Sequence, residues 1–567
     1  MSESEQPDSA GQMHRFLGLL VILLACFVAY FPSLSGGFVW DDDTHLLLNP
    51  VFQDDGLHRV WLTPPQEINY WPVTFTTYWL EYQIWEFDPL GYRIVNLLLH
   101  ALAAMVLWAV LRALSIPFAW WIALIFAVHP VNVESVAWIA QRKNVLSLLF
   151  FLLTTLLYLR FEVHRRVVVY AAALGCFTLA MLSKGAAAPF PAILLLLAWW
   201  RRDTITRQDV TLALPFLVIT IATSLLELST QALVAADVVV RDDDFVTRLA
   251  GAGWVAWFYL LKVLWPSGLM FIYPRWVIDA GSIVNWLPLI AGVLLLVAAW
   301  RLRAGPARHV LAALLFFLIM LSPVLGFFNI YFMRFSFVAD HYQYLAMISI
   351  VALVVGGFGS LSMRFPAVPD AARYAALGAI AFSLAATSAA LSASYQSEEI
   401  LWRETLSKNP NTFLAHYNLA VLLQSEGRLE EAAPHYREAI RTDPTHSDAL
   451  NNLGKVLQDQ GQTALAVDTY LQAIAIAPDS LDPRNNLAVV HQQQGQLEAA
   501  REQFEAALAI APDSAVVHFN FGRLLAELGE RRSALNHFRH AALLAPDSAE
   551  IQTGVARAQR ELSPRGD

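Results

Sequence analysis

Cysteine is nearly absent from this 567-residue chain, and the two residues present, Cys26 and Cys176, both lie in apolar runs. Two thiols placed in this way supply neither a disulfide framework nor a thiolate metal cluster. The sequence also lacks a phosphate-binding glycine-rich loop, a G-x-S-x-G turn and an HExxH helix. Redox chemistry, zinc sites, nucleotide hydrolysis and serine-type hydrolysis therefore have no support.

Charge is scarce as well, at 15% of residues against about 25% in an ordinary soluble domain. The net charge of −9 leaves no basic surface for nucleic acid. Residues 1–400 contain 23 Lys and Arg and 26 Asp and Glu. Residues 401–567 contain 15 Lys and Arg and 21 Asp and Glu, so the density of charged residues is nearly twice as high in this second part. Because 57% of the chain is hydrophobic, this split predicts an integral membrane domain followed by a soluble domain.

Eleven apolar runs approach the roughly 17–25 residues that cross a bilayer. They cover 16–31, 92–111, 117–133, 145–161, 167–183, 186–200, 210–227, 284–300, 308–326, 343–361 and 373–394. A shorter run at 250–265 carries Lys262 and is interpreted as a re-entrant or interfacial helix. The first run has no small-residue cleavage site, so we expect it to remain as an anchor.

Arginine clusters set the orientation, because short cytoplasmic loops are enriched in Lys and Arg. All of the clusters fall on one side if the N-terminus is cytoplasmic; they are Arg112, Arg160 with Arg165 and Arg166, Arg201 with Arg202 and Arg207, Arg301 with Arg303 and Arg308, and Arg364 with Arg373. This orientation predicts that the loops at 32–91, 134–144, 184–185, 228–283 and 327–342, and everything after residue 395, are external.

The soluble part repeats every 34 residues, which is the tetratricopeptide period. The repeated positions are Pro410, Pro444, Pro478, Pro512 and Pro546, with Gly427, Gly461, Gly495 and Gly529. Four repeats at 413–546 are predicted, preceded by a half repeat and connector at 395–412 and followed by a capping helix and tail at 547–567. Such a superhelix usually holds a protein partner. Its candidate groove residues, which equally suit a solvated or bracing role, are Asn418, Asn451, Asn452, Asn485, Asn486 and Asn520.

The most conspicuous polar cluster is Asp41-Asp42-Asp43, directly after the first apolar run. Charge so close to hydrocarbon indicates function, and neighbouring carboxylates raise one another's pKa, which suits a general base or a cation site. A solvated acidic loop or a helix N-cap is the alternative.

Further polar residues collect at the same predicted external face. Arg93, Asn96 and His100 share one face of the second run. The others are His129, Glu134, Arg142, Lys143, Lys184, Arg275, Arg334, Asp340 and His341. Each alone suits an interfacial anchor or an intramembrane pair, but together they indicate an external cavity. Carboxylates for proton transfer and cations for a phosphate, all beside lipid, suit a polyprenyl-phosphate sugar.

Several segments resemble the transmembrane and tetratricopeptide repeat-containing family. They are Gly37-Phe38-Val39-Trp40-Asp41-Asp42, Tyr70-Trp71-Pro72-Val73-Thr74, Gly91-Tyr92-Arg93 with Asn96 and His100, Phe126-Ala127-Val128-His129-Pro130 with Glu134, Arg142, and Leu146-Ser147. The resemblance implies an all-α, GT-C type glycosyltransferase domain over residues 1–394, related to protein O-mannosyltransferases. It further implies transfer of mannose from a dolichyl-phosphate or polyprenyl-phosphate donor to Ser or Thr of a protein.

Carried over to this chain, the resemblance makes Asp41 or Asp42 the catalytic base and places Arg142, Lys143 and Lys184 on the donor phosphate. Substrate contacts are also expected from Arg93, His100, His129, Glu134, Arg275, Arg334 and His341. Whether a divalent cation bridges carboxylate and phosphate stays open. The expected location is a bacterial plasma membrane with external repeats, or the endoplasmic reticulum with lumenal repeats. Two alternatives are sugar transfer to a lipid or polysaccharide and a non-enzymatic membrane-anchored scaffold.

Overall fold

The computed structural model describes residues 9–52, 56–62, 69–234, 240–364 and 368–562. Every regular element in these ranges is helical, and no β-strand occurs among them. The all-α prediction is therefore confirmed. The chain forms two compact units, Met1–Asn409 and Pro410–Asp567.

The first unit contains sixteen α-helices within the described ranges. They are α1 Ser9–Leu34, α2 Gly56–Leu62, α3 Pro72–Trp85, α4 Pro89–Ala113, α5 Ala119–Ala127, α6 Val133–Ala137, α7 Arg142–His164, α8 Val167–Ser183, α9 Phe190–Arg202, α10 Arg207–Val234, α11 Phe245–Leu264, α12 Ile283–Arg301, α13 Ala307–Leu321, α14 Met347–Ser362, α15 Asp370–Ser392 and α16 Glu398–Lys408.

Seven helical stretches in the described chain are long and apolar enough to cross a membrane: Gln12–Leu34, Pro89–Ala113, Ile139–His164, Arg207–Thr230, Ile283–Arg301, Ala307–Val324 and Asp370–Tyr395. Each coincides with one of the eleven predicted runs. An eighth run corresponds to a pair of helices, Ala119–Ala127 and Pro130–Ala137, that bends by 50°. The other three runs form the shorter helices α8, α9 and α14, so length and composition support seven or eight spans rather than eleven.

The bend between α5 and α6 has a local cause. Pro130 cannot donate a backbone hydrogen bond, and the residue before a proline avoids helical geometry. His129 accordingly adopts an extended conformation, and its Nδ1 accepts a hydrogen bond from the backbone N–H of Val131 at 3.3 Å. The interruption carries Glu134 into a short, buried turn at one end of the helices.

The helix ends that carry most of the predicted polar residues meet at one end of this unit. Asp42, after α1, bonds to Ala140 before α7. The hydroxyl of Ser147 donates to the carbonyl of Lys184 after α8 at 3.2 Å. Glu134 bonds to His341 before α14. These cross-links gather segments far apart in sequence into one polar region at the apolar helix ends.

The second unit consists of four helical hairpins and a final helix: α17 Phe413–Ser425, α18 Leu429–Thr442, α19 Ser447–Asp459, α20 Thr463–Ile476, α21 Leu481–Gln493, α22 Leu497–Ile510, α23 Ala515–Glu527, α24 Arg531–Leu544 and α25 Ala549–Leu562. A methyl group on Gly454 would lie 2.5 Å from the Tyr470 ring, so the glycine permits close helix contact. Helix α25 buries Ile551 and Val555 at the end of the array. Residues 563–567 of the predicted tail lie outside the described ranges.

The candidate groove asparagines bond between successive repeats. The side-chain amide of Asn486 donates to Asn451 Oδ1 at 2.9 Å, and that of Asn520 donates to Asn485 Oδ1 at 3.0 Å. These bonds join the first helices of successive repeats. Asn418 differs, because its buried Nδ2 has no partner among the described residues.

Candidate active site

The loop after α1 places two adjacent carboxylates in different surroundings. Trp40 adopts a left-handed backbone conformation with φ of 45°, which costs a non-glycine residue about 1–3 kcal/mol unless its surroundings hold it. Its ring stacks on Trp138 with centroids 5.6 Å apart. The chain then enters the π-helical turn Asp43–Leu47. This reversal separates Asp42, which points into the protein, from Asp41, which stays accessible.

Asp42 is fully buried, and each of its carboxylate oxygens accepts a backbone hydrogen bond. Oδ2 accepts from Val39 at 2.9 Å and Oδ1 accepts from Ala140 at 2.7 Å. Burial raises the pKa of Asp42 to about 7, although the two amides and nearby Arg93 act in the opposite direction. Because both oxygens are occupied, Asp42 fastens the loop to the segment before α7.

Asp41 has the accessible carboxylate of the pair, with 37% of its side chain exposed. Its Oδ2 lies 3.7 Å from Nδ1 of His45, and that nitrogen donates a hydrogen bond to the Asp41 carbonyl at 2.7 Å. The His45 ring stacks on Trp71. Burial and nearby Lys143 lower the pKa of His45 to about 4. His45 is therefore neutral at pH 7, and the carboxylate of Asp41 remains available to a ligand.

Two lysines supply positive charge beside this loop. Lys143, which is buried, interacts electrostatically with Asp41 and Asp42, and its Nζ lies 4.2 Å from the centroid of the Trp71 ring. The positive charges of Lys184 and Lys143 repel each other. Burial, reinforced by Lys143, lowers the pKa of Lys184 to about 7. Within the described ranges neither Nζ donates a hydrogen bond to the protein, so both ammonium groups are free to hold an anion.

The negative charge of Glu227 offsets the positive charge of these two lysines. Glu227 was not among the predicted site residues. Its Oε1 accepts a hydrogen bond from Trp71 Nε1 at 3.1 Å. The carboxylate interacts electrostatically with Lys143 and Lys184. A methyl group on Gly185 would overlap Glu227 Oε2, so a glycine in the turn after Lys184 allows this carboxylate to approach.

Arg142 does not share the position of the two lysines. Its guanidinium is buried and paired with both oxygens of Glu81, and Nη2 donates to the Tyr92 carbonyl at 2.8 Å. The remaining donors face Asn96 and Thr77. Removing one partner of such a buried pair typically costs about 3–5 kcal/mol. The geometry thus gives Arg142 a bracing role in place of the predicted contact with phosphate.

Three other predicted contact residues are also bonded within the protein. Arg93 donates to the carbonyls of Ala137, Gly37 and Tyr395. The ring of His100 lies between the Tyr344 hydroxyl, 2.6 Å from Nδ1, and the Ala127 carbonyl, 2.8 Å from Nε2. Nε2 of His129 donates to the Val263 carbonyl at 3.0 Å. These side chains hold loops and helix ends together.

Glu134 and His341 form a buried pair near Lys184. The backbone N–H and Nδ1 of His341 each approach one carboxylate oxygen of Glu134, at 2.9 and 2.8 Å. Asp340 accepts a hydrogen bond from the Tyr273 hydroxyl at 2.8 Å. Burial and the charge of Glu134 raise the pKa of Asp340 well above its usual range, whereas burial and Lys184 lower that of His341 well below it. This late loop therefore completes the polar region, as its position in the sequence suggested.

Of the last two predicted cations, Arg275 lies on a loop and Arg334 ends the short 3₁₀ helix Tyr331–Arg334. The guanidinium of Arg275 lies 5.3 Å from the Phe337 ring centroid, and that of Arg334 lies 5.9 Å from that of Phe335. Neither forms an ion pair with a residue in the described part of the chain. The structure thus brings Asp41, Lys143 and Lys184 together, with Glu134 and His341 nearby, and leaves Arg275 and Arg334 outside the bonded network.

Metal ligands are not clustered in this region. The described residues contain no group of three or more His, Cys, Asp or Glu side chains that is suited to a metal ion. Asp42 has both oxygens on backbone amides, so the paired aspartates do not present a shared set of open ligands.

Comparison with known proteins identifies the repeats and a group of similar proteins. A family model described as a tetratricopeptide repeat matches residues 412–479, 445–513 and 479–545. Protein O-mannosyl-transferase F38B6.6 of Caenorhabditis elegans is 30% identical over 169 residues, covering 27% of this chain and 24% of that protein. Protein O-mannosyl-transferase TMTC3 of Homo sapiens is 33% identical over 154 residues, covering 24% and 16%.

A third relative shows the same partial similarity. Protein O-mannosyl-transferase Tmtc3 of Drosophila melanogaster is 32% identical over 194 residues, covering 28% of this chain and 20% of that protein. The matched regions thus span about a quarter or less of these relatives. The predicted repeats and the predicted similarity to this group of proteins are confirmed.

Proposed function

We propose that this chain transfers mannose from a polyprenyl-phosphate donor to Ser or Thr of an acceptor protein at the external membrane face. The observation that carries the proposal is the accessible carboxylate of Asp41 beside two lysines that have no hydrogen-bond acceptor among the described residues. The names of the relatives support the sugar, the protein acceptor and the class of reaction.

The proposed reaction uses these groups as follows. Asp41 accepts the proton of the Ser or Thr hydroxyl, and the hydroxyl oxygen forms a bond to C1 of the sugar. The bond between C1 and the phosphate oxygen breaks, and its electron pair stays on the departing polyprenyl phosphate. Lys143 and Lys184 stabilise the negative charge of that phosphate. Asp42 holds the loop through two amides while Asp41 acts.

The first unit also contains a mainly apolar cavity. A cavity of about 560 Å³, within the usual size range of ligand pockets, lies among α4, α7, α9, α13 and α14. Its walls are mainly apolar and include Leu107, Phe151, Ile193 and Phe316. Its lining also includes Trp200, His309 and Arg364, which lie in or beside the arginine clusters predicted to be cytoplasmic, and it includes none of Asp41, Lys143 and Lys184, so the cavity is separate from the proposed site.

Sidedness is testable because the chain has only two cysteines. In a cysteine-free background, we expect Thr44→Cys in the site loop and Asp479→Cys in the repeats to react with a membrane-impermeant maleimide in intact cells. Thr204→Cys, beside the arginines between α9 and α10, is the control that should react only after permeabilisation. All three positions are exposed. Labelling of Asp479→Cys only in permeabilised cells would place the repeats away from the proposed acceptor and contradict the model.

The low pKa of Lys184 predicts a pH-dependent donor affinity. Its folded-state pKa of about 7 lies below the ordinary lysine value, so Lys184 is charged below pH 7 and loses its proton as the pH rises. The apparent KM for the donor should therefore increase between pH 6.5 and 8.5, by up to about tenfold per pH unit for one lost charge contact. Lys184→Arg keeps its charge throughout this range and should flatten the profile. An identical pH profile in both proteins would exclude Lys184 from phosphate binding.

A further inference from the structure

Helix α16 begins the repeat pattern in sequence, yet it packs against the active-site loop. Trp402 occupies the repeat position at which Tyr436, Tyr470, Phe504 and Phe538 lie in the repeats. The ring of Trp402 is fully buried, with its centroid 5.9 Å from that of Trp40 and 5.6 Å from that of Phe271. A side chain that the repeat period assigns to a repeat core thus supports the residue directly before Asp41.

The connector before α16 is bonded to the same loop. The backbone N–H of Gly37 donates to the Gln396 carbonyl at 3.0 Å, and Nε2 of Gln396 donates to the Pro32 carbonyl at 2.9 Å. Nη2 of Arg93 joins the carbonyls of Gly37 and Tyr395. A methyl group on Gly36 would lie 2.7 Å from the Tyr395 carbonyl oxygen, so the two segments approach as closely as a glycine allows.

The far end of α16 is fixed as well. Nζ of Lys408 donates to the Leu269 carbonyl at 2.8 Å, and Nδ2 of Asn409 donates to the Ile272 carbonyl at 3.2 Å. These bonds hold the segment that presents Phe271, whose ring also contacts Trp40 at 5.5 Å. The left-handed Trp40 is consequently enclosed by rings from three different parts of the chain, including Trp138.

We infer that residues 395–402 form a positioning element for the active-site loop, with Trp402 as its main residue. Trp402 acts through Trp40 and so sets the place of Asp41. The expected effect of Trp402 on turnover rests on the proposed function. The contacts between α16 and the loop do not depend on that function. This positioning role distinguishes α16, which the chemistry requires, from the four repeats that follow, which serve acceptor recruitment.

The first test compares Trp402→Leu with the matched variant Phe504→Leu in the full-length chain. Phe504 has the same repeat position and is equally buried, but it lies in the third hairpin of the second unit. With donor and a short Ser/Thr peptide, Trp402→Leu should lower kcat by roughly 10–100-fold, the order expected when a reacting group shifts by about 1 Å. The KM for the donor should change little, Trp402→Phe should regain most of the activity, and Phe504→Leu should resemble the wild type.

The second test measures deuterium exchange and needs no activity. Trp402→Leu should accelerate exchange over residues 36–47, where the amides of Gly37, Asp42 and Asp43 are bonded, whereas Phe504→Leu should not. Gln396→Ala, which removes only the bond to Pro32, should give a smaller increase in the same peptide. Unchanged exchange in both Trp402→Leu and Gln396→Ala would overturn the inference, as would wild-type kcat in Trp402→Leu. If the wild type transfers no sugar, the proposed function fails, and the exchange result still decides whether α16 supports the loop.

Discussion

Asp41→Asn should lower turnover by about 100-fold or more, the order of general-base contributions, with normal membrane insertion and nearly unchanged donor binding. The reason is geometric, because Asp41 has the accessible carboxylate whereas both oxygens of Asp42 accept backbone amides. The measurement is the single-turnover rate on a short Ser/Thr peptide with saturating donor. Asp43→Asn is the matched control, since Asp43 is exposed and its loss should leave the rate near that of the wild type.

Chemical rescue separates the two aspartates further. Asp41→Ala leaves a space that solvent can reach, so added formate should restore part of the rate by taking over the proton. Asp42→Ala should also be slow, because the loop loses its bonds to Val39 and Ala140. Formate should not rescue it, since the site of that carboxylate is closed to solvent. Wild-type turnover in Asp41→Asn would eliminate Asp41 as the base, and rescue of Asp42→Ala alone would assign that role to Asp42.

Deleting residues 413–562 should strongly impair transfer to the intact acceptor protein while sparing transfer to a short peptide at high concentration. The site residues and α16 all belong to the first compact unit, so the chemistry stays in place. Docking supplies an effective concentration of substrate, which for a tethered group is in the millimolar range. At micromolar acceptor protein, we therefore expect a loss of about 100-fold or more, measured as initial rates on both substrates.

The two substrates provide the control for this deletion. An equal loss on peptide and protein would mean that the repeats stabilise the membrane unit, which contradicts acceptor recruitment. Undiminished transfer to the native acceptor would favour a lipid or glycan acceptor and leave the array as a dock for another partner. Asn418→Ala offers a milder variant, because Asn418 is one of the candidate groove residues on the first helix of a repeat.

Sequence patterns with a fixed period were sufficient for the larger architecture. A 34-residue repeat requires prolines, glycines and aromatic residues at set positions, so the period alone locates each hairpin in the sequence. Long apolar runs predicted eleven spans, and seven of these runs coincide with helices of spanning length in the described chain. Apolar runs that form short helices, such as α8 and α9, were wrongly predicted to be full spans by length and composition. Hydropathy does not reveal where a helix stops inside a folded membrane domain.

The partners of individual side chains were much harder to predict. Arg142 and Lys143 are neighbours in sequence, but one is paired with Glu81 and the other lies over Trp71. Only the packing of α3 against the start of α7 makes this distinction. Glu227, the only acidic residue inside the eleven predicted apolar runs, carried a usable signal, since a charge within an apolar run indicates function. His45 offered a weaker signal through its spacing of four from Asp41.

Helix α16 shows why a correct pattern can still leave its contacts open. The period correctly relates Trp402 to the aromatic positions of the repeats, but a half repeat has no preceding hairpin to pack against. Its ring is buried against Trp40 and Phe271 instead. The periodicity therefore predicts the helix and its aromatic side chain, whereas the neighbour is decided by tertiary contacts.

The most direct test of the proposed function is transfer by the purified chain in detergent or liposomes, supplied with polyprenyl-phosphate [³H]mannose and a Ser/Thr-containing peptide. The proposed function predicts labelled peptide, with one polyprenyl phosphate released for each mannose transferred, and loss of nearly all label in Asp41→Asn. Hydrolysis of the donor without labelled peptide, or equal labelling by wild type and Asp41→Asn, would contradict it.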